Sequence, residues 1–154
     1  MKKIIVPFIA MFMFFMIGGC ASSGALDSSA VADFQPQEQY AVNYDKAWDC
    51  VNKALFNEGI ITTTAEKSAG RILTDYVDGG VQVDWQGSMS RRYKFFINIE
   101  KINENNTSIK IIGKLESMTK RITWHDISSS NKKQVAQKVN LIYQKIEAEI
   151  NKSL

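Results

Sequence analysis

Residues 92–116 read RYKFFINIEKINENNTSIKIIGKLE, and this stretch decides the fold. Tyr93, Phe95, Ile97 and Ile99 alternate with Arg92, Lys94, Asn98 and Glu100, the period-two pattern of a strand with one buried face. A polar run from Asn103 to Asn106 turns the chain, and Ile109, Ile111 and Leu115 then resume the alternation. A slip of one residue would move every side chain to the other face, so the two apolar sets must coincide. The turn then sets Ile97 against Ile111, Phe95 over Gly113 and Tyr93 against Leu115. On the other face it sets Arg92 against Glu116, an opposite-charge pair, and Phe96 against Ile112. Lys94 faces Lys114 there, a repulsion that water screens.

Working outward, the flanking segments predict two helices. Asn43 is placed to cap the first, and Asp45 suits its first turn. Tyr44, Trp48, Val51 and Leu55 recur at helical spacing, and Gly59 ends the run as a left-handed cap. Burial of Trp48, Val51 and Leu55 contributes about 1.5–3 kcal/mol each. At the C-terminus, Val135, Val139, Ile142, Ile146 and Ile150 form a second stripe, with Ser128, Ser129 or Ser130 as its cap.

Shorter strands fill the rest. Residues 39–43 make a first strand, and 60–65 and 71–77 make a hairpin around the turn Lys67-Ser68-Ala69-Gly70. Asp78-Gly79-Gly80 reads as a break. Val81, Val83 and Trp85 alternate with polar residues in a strand or structured loop, Gly87 and Ser88 punctuate, and 122–127 makes a last strand. The order is strand, helix, several antiparallel strands, helix. Two helices with one apolar stripe each pack on the same face of the sheet. The expected class is α+β: a single antiparallel sheet with two helices on one face.

The N-terminus fixes an expected address. Lys2 and Lys3 precede an uncharged apolar run over residues 4–17, shorter than the ~20 residues of a spanning helix. Ile17-Gly18-Gly19-Cys20 then resembles the lipobox of bacterial lipoproteins. The resemblance implies cleavage between Gly19 and Cys20, a diacylglyceryl group on the Cys20 thiol and an acylated amine. An ordinary signal peptide or short anchor is the alternative. Ala21, rather than Asp, after the cysteine resembles the outer-membrane sorting signal of Gram-negative lipoproteins, which implies an outer-membrane protein facing the periplasm. The domain plan is a signal peptide over 1–19, a lipidated cysteine and flexible tether over 20–37, and one α+β domain over 38–154. A coil of that tether's length spans roughly 20–25 Å. Phe34 is the tether residue able to dock on the domain.

Processing also changes the charge reading. With the signal gone, 17 basic side chains face 16 acidic ones, so a nucleic-acid partner loses its electrostatic support. With Cys20 claimed by lipid, Cys50 has no cysteine left to pair with; it falls on the flank of the first helix, as a thiol partly buried under a loop or a reactive one. The sequons at Asn105 and Asn106 read as turn chemistry beside a lipobox.

Catalytic machinery is not expected. The single histidine, His125, lies between Trp124 and Asp126 in a strand pattern, where its neighbours point to the opposite face. One histidine and one thiol cannot build a zinc site. Asp75, Asp78 and Asp84 lack the spacing of a calcium loop. Gly79-Gly80 is not a phosphate loop. No cofactor beyond the lipid on Cys20 and no metal is expected. Arg91-Arg92 and Lys132-Lys133 read as solvated faces.

Phe96 and Ile112 are the binding candidates. If both helices cover the other side, this apolar pair is open to a partner; scattered surface residues, or cover by the tether, are the alternatives. From Tyr40 onward, Tyr44-x3-Trp48, Leu55-x3-Gly59, Gly70-Arg71-Ile72, Arg92-Tyr93 and the terminal amphipathic helix resemble the helix-grip modules of BamC-type outer-membrane lipoproteins. That family's modules sit on complexes that insert β-barrel proteins; this chain has one module and a short tether. The resemblance implies a non-catalytic interaction module in envelope assembly or maintenance, with an envelope protein as partner. The alternative is a carrier holding an apolar ligand between sheet and C-terminal helix.

Overall fold

The computed structural model describes residues 37–85, 87–118 and 123–154. The expectations for the signal, Cys20, Phe34 and Ile122 lie outside the described residues. Strand β1 (Glu38–Tyr40) is followed by α1 (Tyr44–Asn57), β2 (Thr62–Glu66), β3 (Arg71–Thr74), β4 (Val77–Asp84), β5 (Gly87–Lys101), β6 (Thr107–Met118), β7 (Trp124–Asp126) and α2 (Lys132–Ser153). Among the described residues the strands form one antiparallel sheet in the order β1-β6-β5-β3-β2, with β4 also on β5 and β7 also on β6. Both helices pack on one face, so the fold is α+β of helix-grip type.

The β5–β6 hairpin is its spine, in the register that side-chain parity requires. Ile97 lies opposite Ile111, Phe95 opposite Gly113, Tyr93 opposite Leu115 and Arg92 opposite Glu116. Each long strand then serves two partners end to end. β5 takes β4 from Gly87 to Tyr93 and β3 from Phe96 to Asn98, while β6 takes β1 at one end and β7 at the other.

Such junctions leave strand backbone without a ladder, and buried N–H and C=O groups need partners. Side chains supply them. The Phe95 N–H donates to the buried Thr74 hydroxyl at 3.0 Å. The Ile111 N–H donates at 2.9 Å to the Tyr143 hydroxyl of α2, which donates in turn to the Ile109 carbonyl at 3.1 Å. Burial pushes that phenol up to about 12, so it stays protonated as a donor. The Leu115 N–H donates to the Ser128 hydroxyl at 2.8 Å.

Ser128 is therefore used by the sheet and does not cap the helix. α2 begins after Asn131, whose side chain makes no capping bond, so the expected serine cap is replaced. Asp78-Gly79-Gly80 is not a break either. β4 runs through it with a bulge between Asp78 and Val81. The Asp78 carboxylate accepts the Gly80 N–H at 2.8 Å, and Gly80 has φ +77°, a left-handed conformation open to glycine, so the extra residue is absorbed without strain. Gly87 and Ser88 do not punctuate; they open β5, opposite Asp84 and Val83. The stretch expected as one strand over 71–77 is divided, β3 ending at Thr74 and β4 starting at Val77.

The core lies between the hairpin and the helices. The Asn43 side chain caps α1, accepting the Lys46 N–H at 2.9 Å, and Gly59 follows the helix with φ +69°. α1 buries Ala47, Trp48, Cys50, Val51, Ala54 and Leu55, a wider stripe than the four expected residues, while Tyr44 is half-buried. Its hydroxyl donates to the Lys67 carbonyl. The Cys50 thiol is buried under the end of α2 rather than under a loop, with Sγ 3.7 Å from Ser153 Oγ. Val135, Val139, Ile142, Ile146 and Ile150 of α2 are all buried. Gly113 is what lets α2 approach: a Cβ there would lie 2.9 Å from Val135 Cγ1 and 3.0 Å from Val139 Cγ2. Where the two helices meet, Glu149 is buried and paired with Lys53 at 2.9 Å and Lys152 at 2.7 Å.

Candidate functional site

Because the helices take one face, the even-numbered side chains of β5 and β6 form the other. Its charged half centres on Arg92. The guanidinium lies 3.5 Å from the centroid of the Tyr76 ring and 4.1 Å from that of Trp124. It also meets Glu116 twice, Nη2 at 2.7 Å and Nε at 2.8 Å from Oε2. Stacking on aromatic faces while forking a carboxylate is a task suited to arginine and not to lysine. The Tyr76 hydroxyl donates to Glu116 Oε1 at 3.3 Å, and Lys114 reaches the same oxygen at 2.8 Å and Asp126 at 3.8 Å. Burial pushes the Glu116 carboxyl up, but hydrogen bonds from Lys114 and Arg92 outweigh it and hold the group below the usual carboxylate range.

Two expectations are corrected here. Arg92 is not part of a solvated face, since its side chain is only 25% exposed. Arg91, pointing the other way, donates to Gln134 of α2 at 2.6 Å. Local sequence hid this because Tyr76 comes from the link between β3 and β4 and Trp124 from β7. Lys132 and Lys133 are exposed, as expected. The opposition of Lys94 and Lys114 is relieved too: Lys114 turns to Glu116, and Lys94 lies 5.0 Å from the Tyr76 centroid.

The apolar half of the face is a row across three strands. Phe96 lies opposite Ile112 on one side and Leu73 on the other. Phe96 is 43% exposed, and Ile112 and Leu73 are half-buried. The structure thus brings together the two residues named from sequence and adds Leu73. Period-two reading of residues 71–74 contained that third member, but the strand that receives it could not be known in advance.

Other candidates stay apart. His125 is exposed on β7, opposite Ser117. Asp75 and Asp78 accept nearby backbone N–H groups, of Tyr76 at 2.7 Å and Gly80 at 2.8 Å. Among the described residues no cluster of three or more His, Cys, Asp or Glu side chains could hold a metal ion. Also among them, no helix is long and apolar enough to cross a membrane. Between α2 and the sheet lies a cleft of about 140 Å³ lined by Ile60, Val77, Tyr93, Phe95, Leu141 and Ile142, with Glu58, Lys138 and Lys145 at its polar margin. Nearer the start of α2 is a hollow of about 410 Å³ whose lining includes Arg91, Gln134, Gln137 and Lys138.

No family model matches the chain, and no curated protein matches it. Among solved structures it is similar to the crystal structure of a TBP-like protein from Parabacteroides distasonis ATCC 8503, at 8% identity and a TM-score of 0.48, over 75% of this chain and 91% of that one.

Proposed function

We propose that this protein is a non-catalytic interaction module of the cell envelope. It is anchored through lipid on Cys20 to the periplasmic face of the outer membrane, and it binds an envelope protein through the sheet face around Phe96 and Ile112. One observation carries the binding surface: the row Leu73–Phe96–Ile112 is apolar and uncovered among the described residues, beside a charged cluster whose members are paired with one another. Apolar anchors ringed by satisfied polar groups suit a protein contact, in which a few central residues supply most of the binding energy. The lipobox and the BamC-like resemblance support the address. The carrier alternative has less support, because a cleft of about 140 Å³ falls short of the ≈ 300–1,000 Å³ of small-molecule sites, and the wider hollow has a polar, cationic lining.

Two experiments test the reading. Cys20→Ser is expected to leave an unprocessed precursor that does not label with palmitate; normal labelling contradicts the anchor. Phe96→Ser with Ile112→Ser is expected to abolish in-cell crosslinks to the partner while the domain stays folded. Crosslinks that persist in a stable double variant exclude this face, and loss on changing Ile142 and Ile146 instead is the outcome for a carrier.

A further inference from the structure

β4 and β5 run on together beyond the end of β6. Among the described residues β6 reaches Met118, opposite Ser90, while β4 still pairs with β5 out to Asp84 opposite Gly87. This two-stranded ribbon ends in large apolar side chains. Val81 is 63% exposed, Val83 76% and Trp85, in the turn, 91%. Val81 and Val83 lie opposite Ser90 and Ser88, so they project from the same side as the open face. A ribbon that already satisfies its inner ladder can present three such side chains only at a cost in water, unless something apolar receives them.

The path of the chain says what receives them. β1 and β5 are both antiparallel to β6, so β1 runs parallel to β5 and its first residue, Glu38, marks the end of β1 that faces the ribbon. Glu38 is level with Ile99, across Ile109. From Ile99 to Gly87 along β5 is about 40 Å at ~3.3 Å per residue. The 17 residues from Ala21 to Gln37 extend to at most about 56–61 Å. A bilayer holding Cys20 is therefore within reach of the ribbon tip.

We propose that the tip of the β4–β5 ribbon, Val81, Val83 and Trp85, inserts into the interfacial region of the bilayer that anchors Cys20, fixing the domain upright with its open face along the membrane normal. Tryptophan favours that depth because its ring is apolar and its N–H is polar. Among the described residues the side chains of Val81, Val83 and Trp85 at the tip are apolar, and the exposed cations of α2 lie away from it. Val135 of α2 packs on Gly113, opposite Phe95, so the exposed Lys132 and Lys133 are set back about 20 Å from the tip, well beyond a Debye length of ~8 Å. The inference rests on the proposed anchor, since the tether brings the tip within reach.

The test uses the mature protein, purified from cells with its anchor and reconstituted in phosphatidylethanolamine and phosphatidylglycerol vesicles carrying brominated acyl chains. Trp48 is buried and Trp124 stacks on Arg92, so the quenchable emission is expected from Trp85. Bromine is expected to quench the wild type, with most of that quenching absent in Trp85→Phe and in Val81→Ser with Val83→Ser, and unchanged between about 50 and about 500 mM salt. Equal quenching in wild type and Trp85→Phe, or quenching lost at high salt, overturns the inference. Mass spectrometry of the mature N-terminus separates the two readings. A Cys20 without lipid overturns the anchor and the inference with it, whereas a lipidated chain with unquenched Trp85 overturns the inference alone.

Discussion

The two faces of the β5–β6 hairpin are made of alternate residues from one stretch of chain, yet they are held by different physics. On the covered face Tyr93, Phe95, Ile97, Ile99, Ile109, Ile111 and Leu115 are each at most 5% exposed, and area removed from water does the work. On the open face Arg92 and Glu116 are held by ring stacking, hydrogen bonds and two cations around one carboxylate. Phe96 and Ile112 are the members of that face that neither mechanism accounts for. The comparison singles them out as apolar side chains that the fold leaves exposed or half-buried beside a paired and charged cluster.

The largest expected effect lies on the covered face. Leu115→Ala removes a fully buried side chain and should cost about 2–5 kcal/mol in urea unfolding. A loss below about 1 kcal/mol would mean the two faces are less different than their burial implies.

Next is the charged cluster. Arg92→Ala leaves the Glu116 carboxylate with Lys114 as its remaining ion-pair partner and should cost about 1–3 kcal/mol, because charge-assisted bonds are lost at a buried acceptor. Arg92→Lys should recover little of this, as an ammonium cannot stack flat between Tyr76 and Trp124 while forking Glu116. Full recovery would reduce the cluster to simple charge pairing.

Acid should then expose the carboxylates. Hydrogen bonds from Lys152 and Lys53 hold the Glu149 carboxyl down at about 2, against ~4.3 in an unfolded chain. Its folded form is depressed, so its contribution is present above pH ~4.3 and is lost as pH falls through that value toward about 2. Melting temperature should fall over that window, and Glu149→Gln should flatten the fall. Glu116, also lowered, adds to the slope in the same direction. A steep dependence between pH 5 and 8 would have to come from other groups.

The smallest stability effect is expected for Phe96→Ser with Ile112→Ser, under about 1 kcal/mol per site, since half-exposed sheet positions span roughly that range. Thermal unfolding checks this directly. A cost comparable to Leu115→Ala would make the row a structural element rather than a spare surface.

Parity made much of this legible. Alternation in residues 92–116 determined both faces and the register, and it placed Phe96 beside Ile112. The helix stripes and the Asn43 cap were equally local. What escaped were features made by distant residues meeting. Tyr76, from the β3–β4 link, and Trp124, from β7, both stack on Arg92. Tyr143 reaches from α2 into the backbone of β6, and Ser128 is drawn from helix capping to the sheet by the free edge at Leu115. The Gly79-Gly80 pair misled because two glycines serve a bulge as well as a turn, and only the pairing partner distinguishes them.

The most direct test of the account is site-specific photocrosslinking in living cells, with a photoreactive residue placed at Phe96 on the open face or at Leu141, 45% exposed on α2. The account predicts a discrete adduct with one envelope protein from Phe96 and none from Leu141, the Phe96 adduct vanishing when Ile112 is changed to Ser. Adducts from Leu141 alone, with none from Phe96, would contradict it.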